Sequence, residues 1–383
     1  MDVSLLAAEY RNGLLEDTIP FWTRHAVDRE HGGFLTSLAR DGSVIDTDKA
    51  IWTQARFSWL LATLYVEVEP REEWLELAGH GIDFLQRHAF DSSGDMYFLV
   101  SQKGEGLRMR RYVFSEAFAA MAYAAYAAAA KSEQHADRSR TLFDRFLSAT
   151  VTPKINPAVR PMKSIGPLMI AINAAQTMRS TIGLDNADSI IDELIEEIRR
   201  DFLKPDRGAL METVAPDGAI IDHFEGRLLN PGHAIEAGWF ILEEGRIRSE
   251  QSLIDLGIEI IDLMWDRGWD AEFGGLYSFR DIDEKPVQEY WHDMKFWWPH
   301  NEAIIATMLA YALTGDPRHA ARHALVHDWA HSHFADSEFG EWYGYLHRNG
   351  TVSVDLKGNH WKGPFHLPRM QYRCWQIASS LNA

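Results

Sequence analysis

Apolar residues recur at three- and four-residue intervals through most of the chain, the signature of helices with one buried face. That periodicity, with its capping and breaking residues, predicts about twelve helices. They span roughly 4–26, 49–69, 72–90, 112–131, 137–150, 166–183, 187–203, 231–246, 249–266, 297–314, 317–333 and 364–381. Between them lie short alternating runs of aromatic and glycine residues closed by turn signals. Gly32-Gly33-Phe34 leads to Asp41-Gly42, and Gly94-Asp95-Met96-Tyr97-Phe98 leads to Gly104. Gly208-Ala209-Leu210 leads to Asp217-Gly218, Gly274-Gly275-Leu276-Tyr277 to Asp283-Glu284, and Gly340-Glu341-Trp342-Tyr343 to Asn349-Gly350. Each reads as a β-hairpin. Their spacing is roughly 60 to 65 residues, with one gap about twice that, which points to a repeat architecture. The missing copy falls near Pro153 to Pro167, where the glycine signature is lost.

The connections alternate. Links from odd to even helices are long and carry the hairpins, whereas links from even to odd helices are short, such as Glu69-Pro70-Arg71 and Gly315-Asp316. Short links make antiparallel neighbours. Six antiparallel pairs with all long loops at one end predict an all-α (α/α)6 barrel, a closed toroid spanning 1–383 as one domain. Length alone would suggest two or three domains, but 383 residues is also about six repeats of ~64 sharing one core. In this topology the N-termini of the even helices open onto the long-loop face, so polar residues there converge in one funnel walled by the hairpins.

Composition narrows the chemistry. With 46% hydrophobic and 25% charged residues the chain reads as globular. A single cysteine excludes a disulfide framework and Cys-rich metal sites. A formal charge of −18 argues against nucleic acid as a partner. No apolar run is long enough to span a membrane and no signal-peptide pattern opens the chain, so a cytoplasmic location is expected. The 14 Trp, 12 Tyr and 19 Phe are more large rings than a core ordinarily needs, so some are expected to line a site.

Polar residues stand at the starts of the even helices: Trp52-Thr53-Gln54-Ala55-Arg56, Phe114-Ser115-Glu116, Asn230-Pro231-Gly232-His233-Ala234-Ile235-Glu236, Trp297-Trp298-Pro299-His300-Asn301-Glu302, and Lys362-Gly363-Pro364-Phe365-His366-Leu367-Pro368-Arg369. His233 and Glu236 share a helix face, so the carboxylate is expected to orient the imidazole. His366 occupies the matching place on the last helix. A helix N-terminus disfavours imidazolium, so both rings are expected to be neutral proton acceptors. Arg56 lies in an apolar stretch and reads either as an ion-pair partner of Glu116 or as a donor to a developing oxyanion. Glu302 reads as a funnel residue and as a partner for Arg56 or Arg369. Trp297, Trp298, Trp342 and Trp361 offer apolar faces suited to the C–H faces of a sugar.

Two further features have plainer readings. His319, His323, His327 and His331 recur every four residues, with His333 beyond. No matching acid or cysteine follows and their helix is an outer one, so a solvated or fortuitously chelating stripe is expected, not a physiological metal site. Lys103, Arg108, Arg110 and Arg111 read as a solvated basic loop, with attraction of an anionic substrate as the alternative.

The runs Asp28 to Arg56, Phe114 to Met121, Leu229 to Trp239, Asp293 to Ala303, Phe339 to Leu346 and Lys357 to Arg369 together resemble the N-acylglucosamine 2-epimerase family. The resemblance implies an (α/α)6 barrel, usually a homodimer, that binds a sugar in its funnel. It implies acid/base roles for His233 and His366. It also implies that Arg56, Glu236, Glu302 and Arg369 hold the sugar and its enediolate, with Glu116, Trp298 and Trp361 as further binding candidates. No cofactor is implied, though ATP acts as an effector on some members; the chain has no P-loop. Cellobiose 2-epimerases and mannose and sulfoquinovose isomerases of the wider superfamily carry a further histidine on the sixth helix. Here that helix begins Ser164-Ile165-Gly166-Pro167-Leu168-Met169 and has no His, so it looks more like the N-acylglucosamine branch. The expected reaction is inversion at C2 of a ring-opened sugar. An aldose–ketose isomerase is the alternative, and a glycoside hydrolase using Glu236 and Glu302 is a more distant one.

Overall fold

The computed structural model describes residues 2–109, 113–149 and 155–382. The chain opens with α1 (Val3–Asn12), a π-helical stretch over Gly13–Thr18, and α2 (Ile19–His25), which form one continuous rod. Next come α3 (Ile51–Glu67), α4 (Glu72–His88), α5 (Phe114–Ala130), α6 (Glu133–Ser148), α7 (Ile165–Ile182) and α8 (Ala187–Glu197). After the single turn α9 (Phe224–Arg227) follow α10 (Pro231–Arg248), α11 (Gln251–Gly268), α12 (Trp297–Thr314), α13 (Pro317–Phe334) and α14 (His366–Asn382). With the first rod counted once and α9 set aside, the described residues form the twelve helices that the periodicity predicts.

One start differs from expectation. The polar first turn of α6, Glu133-Gln134-His135, carries no apolar period and reads as loop. Its helix begins there because Lys131 caps α5 in the left-handed region at φ 53°. The same cap closes three more of the short turns, at Gly183, Ser249 and Gly315. The predicted helix ends at 112 and 150 lie outside the described residues, as do Arg110 and Arg111.

Helices α3, α5, α7, α10, α12 and α14 pack side by side as an inner ring, and each short turn folds an outer helix back onto it. The last inner helix, α14, packs on α1 and α12. The ring closes where Tyr372 of α14 donates to Glu67 of α3 and the Trp59 and Phe365 rings meet at 5.4 Å. Inner helices are buried on nearly every side, as in α5, whose run of alanines permits close packing.

The long loops are less self-contained than the hairpin pattern suggests. Ser37–Leu38 with Val44–Asp46, Tyr97–Val100 with Gly106–Met109, and Tyr345–Leu346 with Val352–Val354 are hairpins as expected. Arg280–Asp281, however, pairs with Leu228–Leu229 of the preceding repeat, and Leu203–Lys204 pairs with Ala209–Leu210 around a tighter turn. Near the expected missing copy, Lys163–Ser164 pairs with Thr213–Val214; residues 150–154 lie outside the described ones. Ladders between repeats tie the rim together.

A recurring ion pair pins these loops. Lys49 meets Asp28 at 2.8 Å, Lys295 meets Asp270 at 3.0 Å and Lys357 meets Asp336 at 2.9 Å, with all six side chains buried. In each case the aspartate follows an outer helix and the lysine precedes the next inner one, by two residues for Lys49 and Lys295 and by nine for Lys357.

Candidate active site

The inner-helix N-termini open onto the looped face, and their side chains divide by position. Gln54 both accepts from the Phe34 N–H at 2.6 Å and donates to its carbonyl at 2.8 Å. Glu116 accepts from the Met96 N–H at 3.4 Å, and His300 Nε2 accepts from the Leu276 N–H at 2.9 Å. Phe34, Met96 and Leu276 occupy equivalent bridge positions in their loops. These three polar residues therefore anchor the loops to the ring. Two residues further on stand Arg56, Phe118 and Glu302. Residues i and i+2 lie about 200° apart on a helix, so one set faces outward and the other inward. For this reason Glu116, expected among the sugar-binding residues, is a loop anchor.

The inward set converges. Glu302 accepts from His366 Nδ1 at 2.7 Å and, through its other oxygen, from Trp239 Nε1 at 2.9 Å, and it forms an ion pair with Arg369 Nη2 at 2.7 Å. Arg369 also pairs with Glu236. The expected contact between Glu236 and His233 is thus replaced: on α10 Glu236 turns toward Arg369. His233 instead meets Glu212, whose two oxygens each lie 3.1 Å from Nδ1, and its own backbone N–H is capped by Asn230. Glu212 sits in the loop after Leu210. No periodicity marks it, and its only sequence signal is its place on the funnel rim.

Each histidine therefore donates Nδ1–H to a carboxylate and leaves Nε2 for chemistry. Trp298 lies between them, its ring 5.0 Å from His233 and 5.8 Å from His366. Trp361 is half exposed and packs on Trp52 and Phe98 at 5.3 and 5.4 Å. Together with Thr53, Arg56 and His366 it lines a pocket. Trp342, by contrast, stacks on Phe334 in the core.

Arg56 is unusual. Its guanidinium lies 3.9 Å from the Phe118 ring, 4.5 Å from Phe365 and 4.7 Å from Trp52. Its Nε has no hydrogen-bond partner among the described residues, and the expected pairing with Glu116 is not formed. Burial, reinforced by Arg369, pushes its pKa down to about 9. Aromatic faces are its main company.

The expectation of two neutral imidazoles holds for one ring. Burial and the Arg369 charge push His366 well below the ordinary histidine value. Burial also disfavours charge on His233, but Glu212, aided by Glu236, outweighs it and raises the pKa. Two like groups pushed apart in this way are suited to acid and base roles.

The fold and this site define a class: (α/α)6 barrels that hold two histidines against carboxylates at the looped end of the ring. Comparison with known proteins gives the family. A family model described as N-acylglucosamine 2-epimerase matches residues 32–366, and the chain belongs to that family. It is 33% identical to N-acylglucosamine 2-epimerase of Mus musculus over 388 aligned residues, covering 96% of this chain and 90% of the relative. Among solved structures it resembles cellobiose 2-epimerase from Bacillus thermoamylovorans B4167, with a TM-score of 0.85 at 20% identity over 98% of this chain and 100% of that one. It also resembles a D-mannose isomerase, with a TM-score of 0.82 at 20% identity over 98% of each chain. Among the described residues, no helix is long and apolar enough to cross a membrane.

Proposed function

We propose that the chain is a sugar 2-epimerase interconverting N-acyl-D-glucosamine and N-acyl-D-mannosamine. The observation that carries this reading is the pair of carboxylate-held histidines on different inner helices, both against Trp298. Inversion at a carbon beside a carbonyl needs one group to remove a proton and another to return it on the opposite face. The pair works in its singly protonated form. With His233 carrying the proton, neutral His366 takes the C2 proton of the open-chain sugar and His233 protonates the other face. The reverse reaction uses the same form with the proton on His366. Arg56, with no carboxylate paired to it, is free to meet the negative charge that develops on the enediolate oxygen. The C1 carbonyl serves as electron sink, so the mechanism uses no cofactor.

A glycosidase mechanism fits less well, because Glu236 and Glu302 are both engaged by Arg369. The test is incubation with N-acetylmannosamine, N-acetylglucosamine or mannose in D2O, followed by NMR. C2 inversion with solvent deuterium at C2 and no ketose supports the proposal, whereas ketose from mannose alone overturns it. We further take the enzyme to be a cytoplasmic homodimer, with sedimentation velocity as the test of pairing. Adding ATP to the NMR assay tests it as an effector.

A further inference from the structure

The histidine stripe of α13 is not solvated. His319, His323 and His327 are buried, and the stripe faces α1, more than three hundred residues away in sequence. There the Tyr10 hydroxyl lies 3.1 Å from His323 Nε2 and 2.7 Å from His327 Nδ1. Glu9 Oε1 lies 3.4 Å from His327 Nε2 and 3.8 Å from His331 Nε2.

Donors and acceptors in this cluster can be assigned one by one. His323 Nδ1 lies 3.2 Å from the Ile304 carbonyl and so carries the hydrogen that bonds it. Its Nε2 then accepts from the Tyr10 O–H. With that proton committed, His327 Nδ1–H must donate to the Tyr10 oxygen, which leaves His327 Nε2 bare. His331 Nδ1 donates to the His327 carbonyl at 2.9 Å, so its Nε2 is bare as well. Two nitrogen lone pairs and a carboxylate oxygen thus face one another with no hydrogen between them. Three acceptors in one place call for positive charge, which a proton on one ring or a metal ion can supply.

We propose that Glu9, His327 and His331 bind one divalent transition-metal ion, with zinc the best match, clasping α1 to α13. Histidines four apart on a helix are a chelating pair, and imidazole with carboxylate is a zinc donor set. Zinc–nitrogen bonds of ~2.0–2.1 Å in a tetrahedron place donor atoms about 3.3 Å apart, near the 3.4 and 3.8 Å from Glu9 to the two rings, and all three ligand atoms lie within 4.8 Å of one another. The second nitrogen of each ring is held by Tyr10 or a carbonyl, the outer support that metal-binding histidines typically have. Glu9 is partly exposed, which gives the ion an entry and leaves room for water as a fourth ligand. Among the described residues, the other cluster of this kind, Glu236, Glu302 and His366, is occupied by Arg369.

The test uses untagged, chelator-stripped protein titrated with Zn2+ by calorimetry, with Mg2+ as the hard-cation control. The expected result is one equivalent of zinc, no magnesium binding and a raised Tm. His331→Ala and Glu9→Gln should each weaken zinc at least about tenfold while leaving turnover unchanged, which shows that the variants are folded. Absence of saturable zinc binding at micromolar concentration overturns the proposal. So does zinc binding that survives both substitutions, since the ion is then held elsewhere.

Discussion

Glu212→Gln isolates the interaction that sets the two histidines apart. The side chain keeps its shape and can still accept the His233 Nδ1–H, so the change removes charge and little else. Two unit charges about 4 Å apart interact by roughly 4 kcal/mol at an effective dielectric near 20. The His233 side chain is 35% exposed, so water screens much of this and the smaller end of the usual range applies. We expect its pKa to fall by about one unit, equivalent to ~1.4 kcal/mol. The sign follows from the role. A raised pKa keeps His233 protonated to higher pH, so it governs the alkaline limb, where the pair loses its single proton. The substitution should move that limb about one unit toward acid, and activity above it should drop about tenfold. The acid limb, set by protonation of His366, should stay in place. The assay is kcat/KM for N-acetylmannosamine by NMR from about pH 5.5 to 9.5, with Tm as a folding control. An unmoved alkaline limb with a rate within twofold of the unaltered enzyme would refute the reasoning.

Other consequences are equally direct. His366→Ala and His233→Ala should each lower epimerisation by about 10²–10⁴-fold, yet each should still exchange the C2 hydrogen of one epimer with D2O, which NMR of the recovered substrate reads. Arg56→Met should cost about 10²–10³-fold in kcat without lowering Tm, because the change leaves no carboxylate unpaired. Asp270→Ala should destabilise by about 3–5 kcal/mol in urea unfolding, since it strands the buried Lys295. Burial alone would raise the Asp270 pKa, but Arg348 and Lys295 hold it well below the ordinary range. The stability it contributes should therefore be complete above about pH 4 and be lost as pH falls toward the folded-state value, as acid titration of unfolding would show.

Much of this was legible in the sequence because the signals are local. Helical periodicity and short turns closed by Gly183 or Gly315 need no knowledge of distant contacts. The alternation of long and short links then orders the helices into a ring. Arg56, Glu236, Glu302, His366 and Arg369 could be brought together because they sit near inner-helix starts in one repeat register. Glu116 was harder, since a site residue and a loop anchor differ only by two positions on the same helix. Glu212 and the Glu9–His327 contact were not legible at all. One lies in an irregular loop, and the other joins two helices that become neighbours only when the ring closes.

The charge balance of the funnel sets Arg56 apart from Arg369. Arg369 is shared by Glu236 and Glu302, so its charge is compensated before substrate arrives, and its work is to hold Glu302 against His366. Arg56 lies among three rings, with more distant help from the same two carboxylates. Placing a cation there is costly for folding. The cost is recovered when an anion forms beside it, and the enediolate is such an anion. An arginine paired in advance would bind a neutral sugar as well and gain less as the charge develops, which would favour the ground state over the transition state. In the proposed mechanism, the aromatic box around Arg56 would reserve its charge for the moment when the C2 proton has left.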